Sequence, residues 1–181
     1  MNATKVDAGQ KAAAFRELHQ SSYGDVLRFI ERRGFDHESE DIAATAFATA
    51  WRKFDERPED PRPWLFGIAR NLMANSRRGR WRKQALEVRV QSELQVLSYF
   101  STESVDARLD VARAWATLTA QDQEVLSLIA FEGLTPDEAS AVLETKRTTF
   151  AMRLTRARKR LKSAIDDQSS RHIDADVRRN N

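Results

Sequence analysis

The chain of 181 residues contains no cysteine. Disulfides and thiolate-ligated metals are therefore excluded, and a reducing, intracellular compartment fits. Glycine (6) and proline (4) are scarce, and the glycines form neither a phosphate loop nor a dinucleotide fingerprint. Aromatic and β-branched runs bounded by turn residues are missing, which leaves an all-helical class. The three histidines, His19, His37 and His172, show no metal-ligand spacing. His37-Glu38 opens like a zinc-protease motif, but the second histidine would fall at Asp41. No serine sits in a nucleophile elbow. No apolar run reaches the length of a signal-peptide core or a membrane span. The expectation from these absences is a cytoplasmic protein that is not an enzyme. It should hold no cofactor or metal, take no small-molecule substrate and insert in no membrane.

What is present is charge in clusters and apolar residues at helical spacing. Lys and Arg total 30 against 27 Asp and Glu, so the net charge is only +3. Acids and bases are separated along the chain, and local clusters matter more than the total. Residues 118–162 organise the second half. Val125, Leu126, Leu128 and Ile129 form one helical stripe, and Gly133 stops it with a left-handed turn. Thr135, Pro136 and Glu138 open a second helix as cap, first helical residue and capping-box partner. A short turn, Glu144-Thr145-Lys146, leads into a third. There Phe150, Leu154, Ala157, Leu161 and Ile165 face inward. Thr148, Met152, Thr155 and Lys159 lie opposite, flanked by Arg147, Ala151 and Arg156. Six basic residues and no acid fall between Arg153 and Lys162. Two helices on a short turn, the second one basic, is the arrangement that sets a helix in the DNA major groove. Basic composition alone would specify only attraction to phosphate, or a solvated face.

The first half predicts three helices. Residues 15–33 bury Phe15, Leu18, Val26, Leu27 and Ile30, with Gly34 as the stop. A second helix, capped by Ser39, carries the stripe Ile42, Ala43, Ala46, Phe47, Ala50, Trp51 and Phe54, whose alanines admit a close neighbour. Prolines 58, 61 and 63 make residues 55–63 a loop. A third helix from Pro63 buries Trp64, Leu65, Ile68, Ala69, Leu72 and Met73 and exposes Arg70, Asn71 and Asn75. It runs into Arg77, Arg78, Arg80, Arg82 and Lys83 around Trp81, a mixture suited to phosphate and base contacts together. The expected organisation is two small helical domains on a linker. Residues 1–13 form a flexible start, 14–83 the first domain, 84–106 the linker, 107–165 the helix-turn-helix domain and 166–181 a flexible tail.

SEDIAATAFATAW followed by RPWLFGIARNLMANSRRGR, then LTAQDQEVLSLIAFEGLTPDEASAVL and TTFAMRLTRARKRL, resembles the extracytoplasmic-function group of bacterial sigma factors over about residues 14–164. The resemblance implies binding to core RNA polymerase, promoter recognition and melting, and control by an anti-sigma factor. It implies upstream (−35) element contacts from Arg147, Thr148, Ala151, Met152, Thr155, Arg156 and Lys159. Reading and melting of the downstream (−10) element would fall to Asp55, Glu56, Arg57, Arg62, Trp64, Arg70, Asn71, Asn75, Arg77, Arg78 and Arg80. Polymerase contacts would come from Asp41, Ala44, Thr45 and Arg52.

The sequence departs from the family pattern at three places. Ala44 and Thr45 stand where a glutamine and an acid are usual. Glu144-Thr145-Lys146 replaces Gly-Ile-Ser in the turn, and Ala151 and Met152 replace polar residues. A stand-alone helix-turn-helix regulator and a sigma-like decoy or adaptor are the competing readings.

Overall fold

The computed structural model describes residues 8–80 and 105–179, and side chains within 8–76 and 109–168. Seven α-helices and two short 3-10 turns occur among the described residues, with no strand: α1 (Ala8–Glu31), α2 (Ser39–Arg52), α3 (Arg62–Arg80), α4 (Val105–Ala116), α5 (Ala120–Ala130), α6 (Pro136–Val142) and α7 (Arg147–Arg179). The 3-10 turns span Asp36–Glu38 and Phe54–Glu56. The chain divides into two compact units. The first holds α1–α3, and the second holds α4, α5, most of α6 and α7.

In the first unit each of the three helices packs on the other two. Ala43, Ala46 and Ala50 are fully buried, so α2 approaches its neighbours with no bulk between. Phe29 on α1 stacks on Phe66 on α3, ring centroids 4.6 Å apart and 12° from parallel. Both rings are fully buried, and neither belongs to the predicted stripes. Burial of two such rings stabilises the unit by roughly 1.5–3 kcal/mol each. Trp51, by contrast, is 40% exposed. It stands edge-on to Phe15, at 5.0 Å, with the Lys11 ammonium 5.3 Å from its ring centre.

Four boundaries differ from expectation. Helix α1 begins at Ala8 rather than after residue 13, because Ala8, Ala12, Ala13 and Ala14 are strong helix formers. Gly34 does mark the stop, at φ 77°. Ser39 does not cap α2: the 3-10 turn feeds straight into the helix, and the buried Ser39 hydroxyl donates to the Asp36 carbonyl at 2.9 Å. Helix α4 begins at Val105, two residues before the expected 107; residues 81–104 lie outside the described residues. Helix α7 does not give way to an irregular tail at 166 but continues to Arg179. No glycine or proline follows Pro136, so nothing in the backbone breaks it.

In the second unit α7 packs on α4 and α5. Phe150 and Ala157 are fully buried, Leu154 nearly so, and Leu161 and Ile165 are half-buried. Thr119 caps α5 by accepting the Asp122 amide, and the Asp122 carboxylate accepts the Thr119 hydroxyl at 2.8 Å. Arg160 of α7 donates to the same carboxylate at 2.7 Å.

Candidate nucleic-acid interface

The helix-turn-helix is built from two left-handed turns. Gly133, at φ 65°, ends the α5 segment. The capping box then opens α6: the Thr135 amide and hydroxyl donate to Glu138 at 2.6 and 2.8 Å, and the Glu138 amide donates to Thr135 Oγ1 at 3.3 Å. Glu144 closes α6 at φ 51°. The Thr145 amide donates to the Ser140 carbonyl and the Glu144 amide to the Ala141 carbonyl, both at 3.0 Å. Those two bonds are the Schellman pattern, which glycine usually supplies. The turn thus keeps its left-handed geometry without glycine, at a cost of about 1–2 kcal/mol for the side chain in that region.

Helix α7 starts at Arg147 and carries the buried side Phe150, Leu154 and Ala157. Thr148, Ala151, Met152, Thr155, Arg156 and Lys159 are all exposed, as sequence periodicity predicts. Met152 is 54% exposed, the highest among large apolar side chains of the described residues. The Thr155 hydroxyl donates to the Ala151 carbonyl at 3.0 Å. Arg147 pairs with Asp137 at 2.9 Å, with both side chains open to water. Arg160 is part of the basic run but belongs to the scaffold. Its partner Asp122 is 8% exposed. Burial pushes the Asp122 carboxyl up, but hydrogen bonds from Arg160 and Thr119 and the charge of Arg160 outweigh it and hold the group below its ordinary value. Periodicity gave no sign of this pair, which joins residues 38 apart in sequence.

On α2, Asp41, Ala44, Thr45 and Arg52 are exposed. Arg52 donates to Thr49 Oγ1 at 3.1 Å. The face is small-sided and carries one acid and one base among those four residues.

The candidate melting residues are placed unevenly. Asp55 and Glu56 sit exposed in the 3-10 turn, and Asp55 pairs with Lys11 of α1 at 2.7 Å. Arg57 folds back, donating to the Phe54 carbonyl at 3.1 Å with its guanidinium 4.0 Å from the Phe54 ring centre. Arg62 bonds Asp25 of α1 at 2.8 Å and lies 5.1 Å from the ring centre of Phe66. These two arginines therefore brace the loop in the free chain. Trp64 and Arg70 are half-buried; Asn71 and Asn75 are exposed. Arg77, Arg78 and Arg80 lie on α3, beyond the described side chains.

Residues 18–83 match the family model Sigma-70 region 2, and residues 108–161 match Sigma-70, region 4. The RNA polymerase sigma factor NccH of Alcaligenes xylosoxydans xylosoxydans is 31% identical over 138 residues, covering 72% of this chain and 74% of NccH. CnrH of Cupriavidus metallidurans, also an RNA polymerase sigma factor, is 31% identical over 144 residues, covering 73% and 75%. The fold resembles that of CnrH solved with the cytosolic domain of CnrY, at TM-score 0.59, 26% identity, 92% of this chain and 99% of that one. It also resembles RpoE of Bartonella quintana solved with the anti-sigma factor NepR, at TM-score 0.63, 23% identity, 84% and 97%. Two matched regions in the family's order, together spanning most of the chain, place this protein in the sigma-70 family, as a sigma factor of the extracytoplasmic-function group.

Proposed function

We propose that the chain docks on core RNA polymerase through the exposed face of α2 and carries two promoter-reading surfaces. Helix α7 enters the major groove of the upstream element. The segment 55–61 and the exposed polar side of α3 capture the downstream element as it unstacks. The observation that carries this reading is the acid-free, outward face of α7 from Arg147 to Lys162, set behind a capped helix-turn-helix on the same chain as a region 2 unit. Upstream contact follows from a helix sized for the major groove and from its cationic rim. Downstream capture follows from arginine, asparagine and tryptophan side chains grouped at one helix.

Catalysis belongs to the polymerase in this reading, and the chain supplies position and sequence choice. The work is done in the cytoplasm, at the nucleoid. An anti-sigma factor is the proposed regulator, since RpoE and CnrH were each solved with a protein partner, named as an anti-sigma factor for RpoE. Among the described residues no helix is long and apolar enough to cross a membrane.

Run-off transcription with core polymerase and a promoter library tests the reading. Specific start sites that depend on the chain are expected. Upstream binding with no need of polymerase would favour a stand-alone regulator. No polymerase binding, even after Ala44→Gln and Thr45→Glu restore the usual family residues, would favour a decoy.

A further inference from the structure

The outward face of α7 is unusual at its centre. Thr148, Met152, Thr155 and Lys159 recur at i, i+4, i+7 and i+11, one stripe of a 3.6-residue helix. Ala151 borders it. A major-groove helix commonly reads bases with paired hydrogen-bonding groups: arginine on guanine, asparagine or glutamine on adenine. The middle of this stripe offers none. Ala151 presents a methyl group, and Met152 presents a thioether chain 54% exposed. The Thr155 proton is spent on the Ala151 carbonyl, leaving its methyl group and its lone pairs to the outside. Arg156 and Lys159 flank this apolar patch on the same side of the helix; Arg147, Arg153, Arg158 and Lys162 are exposed too, and no acid occurs from Arg147 to Lys162. A cationic rim fits a polyanion, and a non-polar centre fits the one apolar group that the major groove displays, the thymine 5-methyl.

We infer that α7 selects thymine through its 5-methyl group, with Met152 as the specificity-determining contact and Ala151 and the Thr155 methyl completing the pocket. The upstream element is then a duplex with a T·A pair opposite Met152, read by shape and apolar contact rather than by a bidentate hydrogen bond. Thr155, left as an acceptor only, suits the adenine amino group of that same pair. The inference rests on the upstream role proposed for α7 and names the chemistry of its target.

The test uses holoenzyme assembled from the full chain and core polymerase. An upstream element is first selected from a randomised duplex library. Each thymine in the winner is then replaced singly by deoxyuridine, which removes only the methyl group. At a thymine facing Met152, affinity should fall about fourfold, the worth of one buried methyl group. Met152→Ala should lose a similar factor on thymine and become indifferent to the deoxyuridine change; because Met152 is exposed, the variant should fold as the wild type does, which a melting curve checks. Selection that is blind to every methyl group, or methyl sensitivity that persists unchanged in Met152→Ala, overturns the inference while leaving the upstream role standing. Holoenzyme that initiates but selects no upstream element overturns the upstream role, and the inference with it.

Discussion

Two ion pairs that join helix α7 to neighbouring elements, among the described residues, differ in burial rather than length. Arg160 meets Asp122 at 2.7 Å, and Arg147 meets Asp137 at 2.9 Å. Asp122 is 8% exposed and bonded by a capping threonine as well; Asp137 is 62% exposed. The carboxylate at Asp122 has lost its water, so removing its partners leaves an uncompensated group. The carboxylate at Asp137 keeps its water and loses little. The first pair holds the helix to the unit. The second holds an arginine at the start of α7, on the face proposed to meet DNA, where phosphate would compete for it. Similar geometry thus serves structure in one place and exchange in the other.

Variants at three positions press on that contrast, from the largest effect to the smallest. Asp122→Ala removes the carboxylate that joins the α5 cap to α7, and should cost about 2–3 kcal/mol in denaturant unfolding of the full chain. Its pH dependence has a definite sign. The folded-state carboxyl lies below its ordinary value, so its contribution is fully present above the unfolded-state value and fades as pH falls through the lower folded one. The stability gap between wild type and Asp122→Asn should therefore narrow in acid below the ordinary aspartate range. A constant gap would show that packing, not charge, is what Asp122 supplies.

Glu144→Gly tests the turn that sets where α7 begins. Glycine relieves the left-handed strain at φ 51° but adds freedom to the unfolded chain. The net expectation is a gain of about 0.5–1 kcal/mol in thermal or urea unfolding. A loss would mean that the Glu144 side chain contributes more than its backbone costs.

Asp137→Asn should change stability by less than about 0.5 kcal/mol, since both partners are exposed. Its informative readout is DNA. With Arg147 released, upstream binding at low salt should tighten slightly and its salt dependence steepen. If stability falls as far as in Asp122→Ala, the distinction between the two pairs collapses.

Much of the burial pattern around the candidate site could be read from sequence periodicity. The inward stripe Phe150, Leu154 and Ala157 and the outward stripe Thr148, Met152, Thr155 and Lys159 follow from 3.6-residue repetition alone. The capping box at Thr135 and Glu138 and the stops at Gly34 and Gly133 are local too, because cap bonds span only a few residues and a left-handed φ favours glycine. Where local signals competed, reading failed. Ser39 has a capping residue's chemistry, yet the 3-10 turn before it already supplies helical backbone.

The sequence by itself determined the helical class, the helix-turn-helix and the two faces of α7. These rest on spacing within a single helix or turn. Only the tertiary structure decided which basic side chains are committed. Arg62, a candidate for promoter melting, bonds Asp25 of α1, 37 residues away; Arg160, within the basic run, bonds Asp122, 38 residues away. It also decided that Glu144 takes the left-handed turn and that Trp51 keeps an open face. An ion pair between helices depends on which turns packing brings level, and exposure depends on how far a neighbouring helix extends. Neither quantity has a period along the chain.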